Sequence, residues 1–294
     1  MGVKISWDSQ AGKGLDAVEV YRSKTKIDPQ NPGTPLATLD PNLTSYEDFT
    51  AVNKNLYYYC LAAKKGTERS FGTSQLTGYF SETGPGNATI ARGSWNAGFM
   101  DRVPSASFIT GADLAAKLTG LVYSGGVGSP SNWFKFAYKG KILFFPDVAL
   151  FTTTWNRFYD AGMVFGTDDF GKTPAGVPGS VNQKRVVEIN GLQYIARLAK
   201  LSDIDLGKYL TAQDDTIASE YRSTLTRLVR ATVETQAGAL RRLGDGTSLP
   251  VMLGQHLYSA TQAAYAPAGS PATLAAISIT SNATTAIVLE LIMP

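Results

Sequence analysis

The sequence is poor in the residues that carry most protein chemistry. Of its 294 residues one is cysteine, one is histidine, and only 17% are charged. A lone Cys60 cannot close a disulfide within the chain, and with a lone His256 it cannot assemble any common zinc set. A histidine-based catalytic triad would have to use His256. No apolar run approaches the roughly 18–20 residues that a membrane helix needs, so no membrane insertion is expected. The opening residues, Met1-Gly2-Val3-Lys4-Ile5-Ser6-Trp7, hold no apolar signal core and pass straight into strand-like alternation. Lys+Arg 27 against Asp+Glu 24 leaves a net charge of +3. That charge is too small and too dispersed for the footprint of a nucleic-acid binder.

What is abundant is turn-forming and apolar. Gly 29 and Pro 14 accompany a hydrophobic content of 44%, the profile of a strand- and loop-rich protein. At roughly 100–200 residues per domain, the length predicts two domains. Residues 1–80 read as several short alternating strands bounded by turns, the signature of a β-sandwich. Val3, Ile5 and Trp7 share one face, and Val18 and Val20 form the buried side of the next strand. Thr44-Ser45-Tyr46-Glu47-Asp48 is a short strand. In Tyr57-Tyr58-Tyr59-Cys60-Leu61-Ala62-Ala63, residues Tyr57, Tyr59, Leu61 and Ala63 fall on one face by the period of two, and Cys60 points to the other as an inert small residue.

Residues 81–131 read as a linker with a short helix, opened by Ser81-Glu82-Thr83-Gly84-Pro85-Gly86-Asn87. The helix runs over 111–118 with Thr110 as N-cap. The glycines of Ser124-Gly125-Gly126-Val127-Gly128-Ser129-Pro130 lack the following Lys-Ser/Thr of a phosphate loop and read as a flexible connector. Residues 132–294 then form the second domain. Trp133 to Pro146 is a hairpin turned at Lys139-Gly140, with Phe134, Phe136 and Tyr138 on the buried face and Lys135 and Lys139 on the other. Thr154 caps a helix that Gly162 ends. Asn190-Gly191 joins a second hairpin. The longest helix is expected from Asp214 to Val233, burying Ile217, Tyr221, Leu225, Leu228 and Val229. The runs 275–279 and 286–292 are expected to close one sheet.

Few residues qualify for chemistry. Asp168 and Asp169 invite a calcium reading but lack the regular loop spacing, so a polar turn is the better description. Asp168, Asp169 and Glu188 have no spacing that makes them an acid/base pair. His256 lies near no nucleophile motif and reads as structural. No catalytic residue, cofactor or metal is expected.

Two resemblances sharpen these readings. The order Trp7, Val18-Glu19-Val20-Tyr21-Arg22-Ser23, Ser45-Tyr46-Glu47-Asp48 and the Tyr-x-Tyr-x-Leu-x-Ala strand resembles a fibronectin type III domain, an immunoglobulin-like β-sandwich. The resemblance implies that Tyr57 is a corner tyrosine whose hydroxyl bonds back to the chain. The second set comprises Trp133 to Phe144, Thr154 to Gly166, Gly191 to Leu198, Ser219-Glu220-Tyr221 and Val288-Leu289-Glu290-Leu291. It resembles a domain of tailed-bacteriophage virion proteins, some relatives of which have the C-type-lectin fold. This chain has Thr285-Ala286-Ile287 where that family's closing strand usually reads Trp-Arg-Pro. The resemblance implies a mixed α+β domain following the sandwich. It implies a non-enzymatic virion component in the tail, neck or collar, baseplate or capsid exterior. Such a component is made in the host cytoplasm and partnered by other virion proteins and copies of itself. The alternative it implies is a tail-fibre-like adhesin for host-surface carbohydrate.

Overall fold

Turn residues set where the strands reverse. The computed structural model describes residues 2–173, 180–211, 219–228, 249–268 and 274–292. The chain is mainly β, with few and short helices. It divides into two compact units, Met1–Glu82 with Ser94–Asn96, and Thr83–Gly93 with Ala97–Pro294.

In the first unit β1 (Val3–Ser6) and β4 (Ser45–Asp48) pair as one small sheet. A five-stranded sheet holds β2 (Ala17–Ser23), β3 (Ala37–Leu39), β5 (Asn55–Lys65), β6 (Glu68–Phe71) and β7 (Gln75–Tyr79). Val3, Ile5, Trp7 and Tyr46 share a core with Val20, Tyr57, Tyr59 and Leu61, as the alternation requires. The other face of β2 and β5 is buried as well: Tyr21, Cys60 and Ala62 pack with Ile27 and Phe71. Burial pushes the Cys60 thiol up, which keeps it protonated and unreactive. Glu19, on that same face, is buried and satisfied by Arg69 (2.6 and 3.1 Å) and the Tyr21 hydroxyl (2.6 Å). Asp48 is fully buried and accepts from Arg22, the Tyr59 hydroxyl and Thr50. The Tyr57 hydroxyl accepts a hydrogen bond from the Val52 amide at 3.2 Å, tying the start of β5 to the loop before it.

The second unit is built on a seven-stranded antiparallel sheet. Its members are β8 (Arg92–Ser94), β9 (Ala97–Pro104), β10 (Asn132–Tyr138), β11 (Lys141–Pro146), β13 (Val186–Ile189), β14 (Leu192–Arg197) and β19 (Val288–Ile292). Their spatial order is β13-β14-β19-β11-β10-β9-β8. Two hairpin turns sit where the sequence places them: Lys139 and Gly140 at φ +45° and +80°, and Asn190 and Gly191 at +51° and +77°. Smaller sheets pair β12 (Phe151–Thr153) with β18 (Ala283–Thr285), and order β15 (Met252–Ser259), β16 (Gln262–Ala266) and β17 (Ala275–Ser278). The helix α1 (Gly111–Lys117) is capped by Thr110, and α2 (Trp155–Asp160) by Thr154. Gly162, at φ +72°, follows the end of α2.

Several expectations need correction. The stretch 81–131 is more than a linker, because β9 pairs with β10 along its length and buries Phe99, Met100 and Val103. The glycine cluster is anchored at its ends, since Ser124 and Gly128 donate to the Thr152 and Leu150 carbonyls and a Cβ on Gly128 would strike the Ala149 carbonyl, while Gly125 and Gly126 between them stand in open space. Lys135 is fully buried, not solvent-facing, since both faces of the large sheet are covered. Its ammonium is held by Thr83 Oγ1 (3.1 Å) and the Gly84 (3.2 Å) and Asn87 (2.8 Å) carbonyls. On its side of the sheet Phe108 packs against Trp133, Phe144 and Tyr194. β17 and β19 lie in different sheets, because apolar content gives a strand a buried face but no particular partner.

Half of the expected helix from Asp214 to Val233, including Ile217 and Val229, lies outside the described residues. Within 219–228 the chain forms only α3 (Glu220–Ser223) and a 3-10 turn, Leu225–Leu228. Thr224 breaks the helix at φ −118°, ψ −90°. The Thr224 and Thr226 hydroxyls bond back to the Glu220 and Arg222 carbonyls, four residues earlier, competing with regular helix. Tyr221, Leu225 and Leu228 are nonetheless buried, as the stripe predicts.

One buried cluster joins the pieces. Arg197 at the end of β14 donates to both Glu220 oxygens (2.9 and 2.6 Å), to Glu290 of β19 (2.9 Å) and to the Leu198 carbonyl (3.0 Å). Lys141 of β11 closes the set on Glu290 at 2.9 Å. Burial alone would push the Glu290 carboxyl up, but Arg197 and Lys141 outweigh it and hold the group below its ordinary value.

Replacing Arg197 with Ala strands two buried carboxylates and should cost about 3–5 kcal/mol in chemical denaturation. Arg197→Ala with Glu220→Gln and Glu290→Gln should recover part of that loss. A second expectation concerns acid. Because the folded carboxyls of Glu290, Asp48 and Glu19 titrate below their unfolded values, their contribution is present above the unfolded carboxylate range, about pH 4, and is lost as pH falls through the folded values. Melting temperature should therefore hold near neutrality and drop on acidification below about pH 4. An unchanged midpoint down to about pH 2 would refute the assignment.

Candidate functional site

Strand β15 supplies the frame for two loops of the second unit. Its pairing with β16 is irregular between Leu253 and Leu257, and in that interval the neighbouring side chains of Gln255 and His256 are both buried (3% and 0% exposed). Buried polar groups must find partners or cost stability, and these two find loop backbone. Gln255 donates to the Phe165 and Leu198 carbonyls, each at 3.1 Å. The His256 Nε2 lies 3.3 Å from the Ile204 carbonyl, a contact that calls for the proton on that nitrogen. The Leu257 carbonyl accepts from Leu210 at 2.8 Å. One strand thus holds both a loop beginning at Phe165 and a loop from Ile204 to Leu210.

The first loop is further determined from within. Gln183, fully buried, takes the Val164 amide on its Oε1, and its backbone exchanges bonds with Gly166 and Asp169. Asp169 Oδ1 accepts from the Thr167 hydroxyl (2.6 Å) and the Gly171 amide (3.1 Å). The Tyr159 hydroxyl donates to the Phe170 carbonyl at 3.0 Å. Gly171 sits at φ +57° against the Phe165 ring, where a side chain has neither the backbone freedom nor the space. In the second loop Asp205 Oδ1 accepts from the Gly207 amide at 2.9 Å.

Between the loops lies a cleft of about 490 Å³, lined by Phe165, Asp169, Lys172, Asp205, Leu206 and Gly207 among others. Lys172 crosses it, donating to the Gly207 carbonyl at 3.2 Å with its ammonium 3.3 Å from the centre of the Tyr209 ring. Phe170 and Tyr209 stand at 53% and 43% exposure. Asp169 and Asp205 each spend one carboxylate oxygen on their own turns. The second oxygen of each takes no hydrogen bond among the described residues.

The sequence candidates divide accordingly. Asp169 lines the cleft. Asp168 points to Asn182 (2.8 Å) and Lys184 (3.2 Å), which together hold its carboxyl below the ordinary value. Glu188 is exposed on β13 and is not part of the cleft. His256 is a brace under the second loop. Sequence reasoning missed Asp205, Tyr209, Gln255 and Gln183. Asp205 had a signal, the turn-rich run Ser202-Asp203-Ile204-Asp205-Leu206-Gly207, whereas Tyr209 and the glutamines had none.

Chemically the arrangement is suited to holding a ligand. Its one imidazole neighbour is committed to a carbonyl, and its carboxylates are fixed by turns. Among the described residues no three His, Cys, Asp or Glu side chains gather as a metal set, and no helix is long and apolar enough to cross a membrane. No protein-family model, curated protein or solved structure matches the chain.

Gln255→Leu removes the bond to two buried carbonyls at once and should destabilise the protein by about 1–3 kcal/mol. Amide hydrogen exchange should accelerate in 165–172 ahead of the strands of the seven-stranded sheet. Uniform acceleration across the second unit would show that Gln255 does not brace that loop specifically.

Proposed function

We propose that the chain is a non-enzymatic structural component of a tailed-bacteriophage virion, with a fibronectin type III-like first unit and a phage virion domain as its second. The observation that carries this reading is the convergence on Arg197. Three blocks distant in sequence, each part of the resemblance to such virion domains, supply it: Gly191 to Leu198 the arginine, Ser219-Glu220-Tyr221 the bidentate carboxylate, and Val288-Leu289-Glu290-Leu291 the second carboxylate. A fourth block, Trp133 to Phe144, forms the hairpin whose Lys141 completes the cluster. The blocks on which the resemblance rests make one physical unit in this chain.

For the first unit, support comes from two small sheets around one core and from the Tyr57 hydroxyl bonded back to Val52, the geometry of a corner tyrosine. Such modules act as spacers, and low charge with abundant turns suits a surface built to bury against neighbours. The partners are other virion proteins and copies of this chain, and the location is the particle.

Light scattering tests the reading. A virion component built from copies of itself should give a discrete mass that is a multiple of 31.4 kDa. A monomer at every concentration from about 1 to about 100 µM would sink it, since an assembly interface of ordinary size closes well within that range.

A further inference from the structure

We propose that the outer edge of β6, in the first unit, is a docking groove for an extended peptide segment of another protein. The segment pairs antiparallel with β6, and it carries an acidic side chain opposite Arg69 and an apolar one opposite Phe71. The inference goes beyond the virion reading and does not rest on it, because the groove and its chemistry belong to these residues alone.

A strand at the border of a sheet leaves half of its backbone groups without a ladder, and the register shows which half. Gly72 donates to the Leu61 carbonyl at 2.9 Å, and in the same register Ser70 lies opposite Ala63 and Glu68 opposite Lys65. Bonding direction alternates along an antiparallel strand. Glu68, Ser70 and Gly72 therefore face β5, while Arg69 and Phe71 turn their N–H and C=O groups outward. β6 borders its sheet on that side, Glu68 to Ser70 are exposed, and the outward groups take no hydrogen bond among the described residues. Every pair in that sheet is antiparallel, which sets the direction of the added segment.

The edge is also one side of a groove. A cavity of about 610 Å³ runs along Arg69, Ser70 and Phe71, and the loop of Pro29, Gln30 and Pro32 lines it as well. A groove bounded by that loop takes a single extended segment more readily than the border of a second folded sheet, which argues for a peptide over another copy of this chain. Backbone pairing supplies affinity in such a mode, and the side chains on one face supply selectivity. Opposite Arg69 the charge decides. Arg69 is the one charged residue lining the groove among the described residues. It spends Nε and Nη2 on Glu19 and leaves Nη1 uncommitted, and Lys64 stands 3.8 Å from the same carboxylate. Two cations against one buried carboxylate favour an acidic partner. Opposite Phe71, whose ring rests on Tyr21, the two prolines make the surroundings apolar.

The probe is the blocked peptide Thr-Val-Thr-Glu-Thr-Val-Thr, which can set its Glu opposite Arg69 with a Val opposite Phe71. It is added to the full chain at up to about 1 mM, and hydrogen exchange of single amides is followed by NMR. Exchange at Arg69 and Phe71 should slow severalfold as the probe is added, while the amides of β2 keep their rates. Replacing Glu with Lys in the probe should weaken binding by about threefold or more, and N-methylation of the Glu amide should abolish the slowing. Gln30→Glu, at an exposed position of the lining, should weaken binding of the Glu probe without moving the melting temperature. No slowing at about 1 mM probe, equal affinity for the Glu and Lys probes, or indifference to N-methylation would each overturn the proposal. So would Arg69 and Phe71 amides that become protected without probe as protein concentration rises, the sign of a second copy on this edge.

Discussion

A single buried guanidinium sets how the described elements of the second unit fit together. Arg197 is almost wholly buried, and every nitrogen of its planar fork has an oxygen partner from another part of the chain or from its own backbone neighbour. The Glu220 and Glu290 carboxylates balance its charge together with that of the Lys141 ammonium. Such a cluster adds little net stability over an apolar core, because desolvation offsets most of the attraction. Its effect is on specificity: a strand register or helix placement that left any member unpaired would bury a bare charge. The cluster therefore selects one arrangement of β11, β14, β19 and the Glu220 segment.

Lys135 repeats the logic on the opposite face of the same sheet. A buried ammonium among Trp133, Phe144 and Phe108 is tolerable only because the turn at 83–87 delivers a hydroxyl and two carbonyls to it. That turn is thereby tied to the central hairpin. Gln255 and His256 likewise fix loop backbone to β15, and Gln183 ties the Val164 amide to the Tyr159 carbonyl of α2. The second unit thus spends its buried polar side chains on holding irregular segments, and the cleft is what two of those segments enclose.

Much of the local structure was legible in the residues. Lys139-Gly140 and Asn190-Gly191 announced their hairpins, since few residues accept positive φ. Thr110 and Thr154 announced their helices, because a hydroxyl at that position satisfies an otherwise unpaired amide. The alternation of Tyr57, Tyr59 and Leu61 named one core face of the first unit. The site was less legible. Asp169 was singled out for being beside Asp168, yet the cleft it lines is completed by Asp205, Leu206 and Gly207 from far along the chain. The helix from Asp214 misread 219–228, where threonine hydroxyls bonding to carbonyls four residues back interrupt a pattern whose apolar stripe is otherwise correct.

What the sequence by itself determined was what short-range forces and composition decide: turns, caps, strand alternation, and the exclusion of a disulfide within the chain and of the common zinc sets by a single Cys60 and a single His256. Only the tertiary structure decided that both faces of the large sheet are covered, that Lys135 and Arg197 are buried, and that β17 and β19 belong to different sheets. The physical reason is one of range. Backbone geometry and side-chain alternation act over a few residues and leave their mark in the local pattern. Burial of a charge is settled by whatever carbonyl or carboxylate arrives from far along the chain, and no local pattern records that arrival.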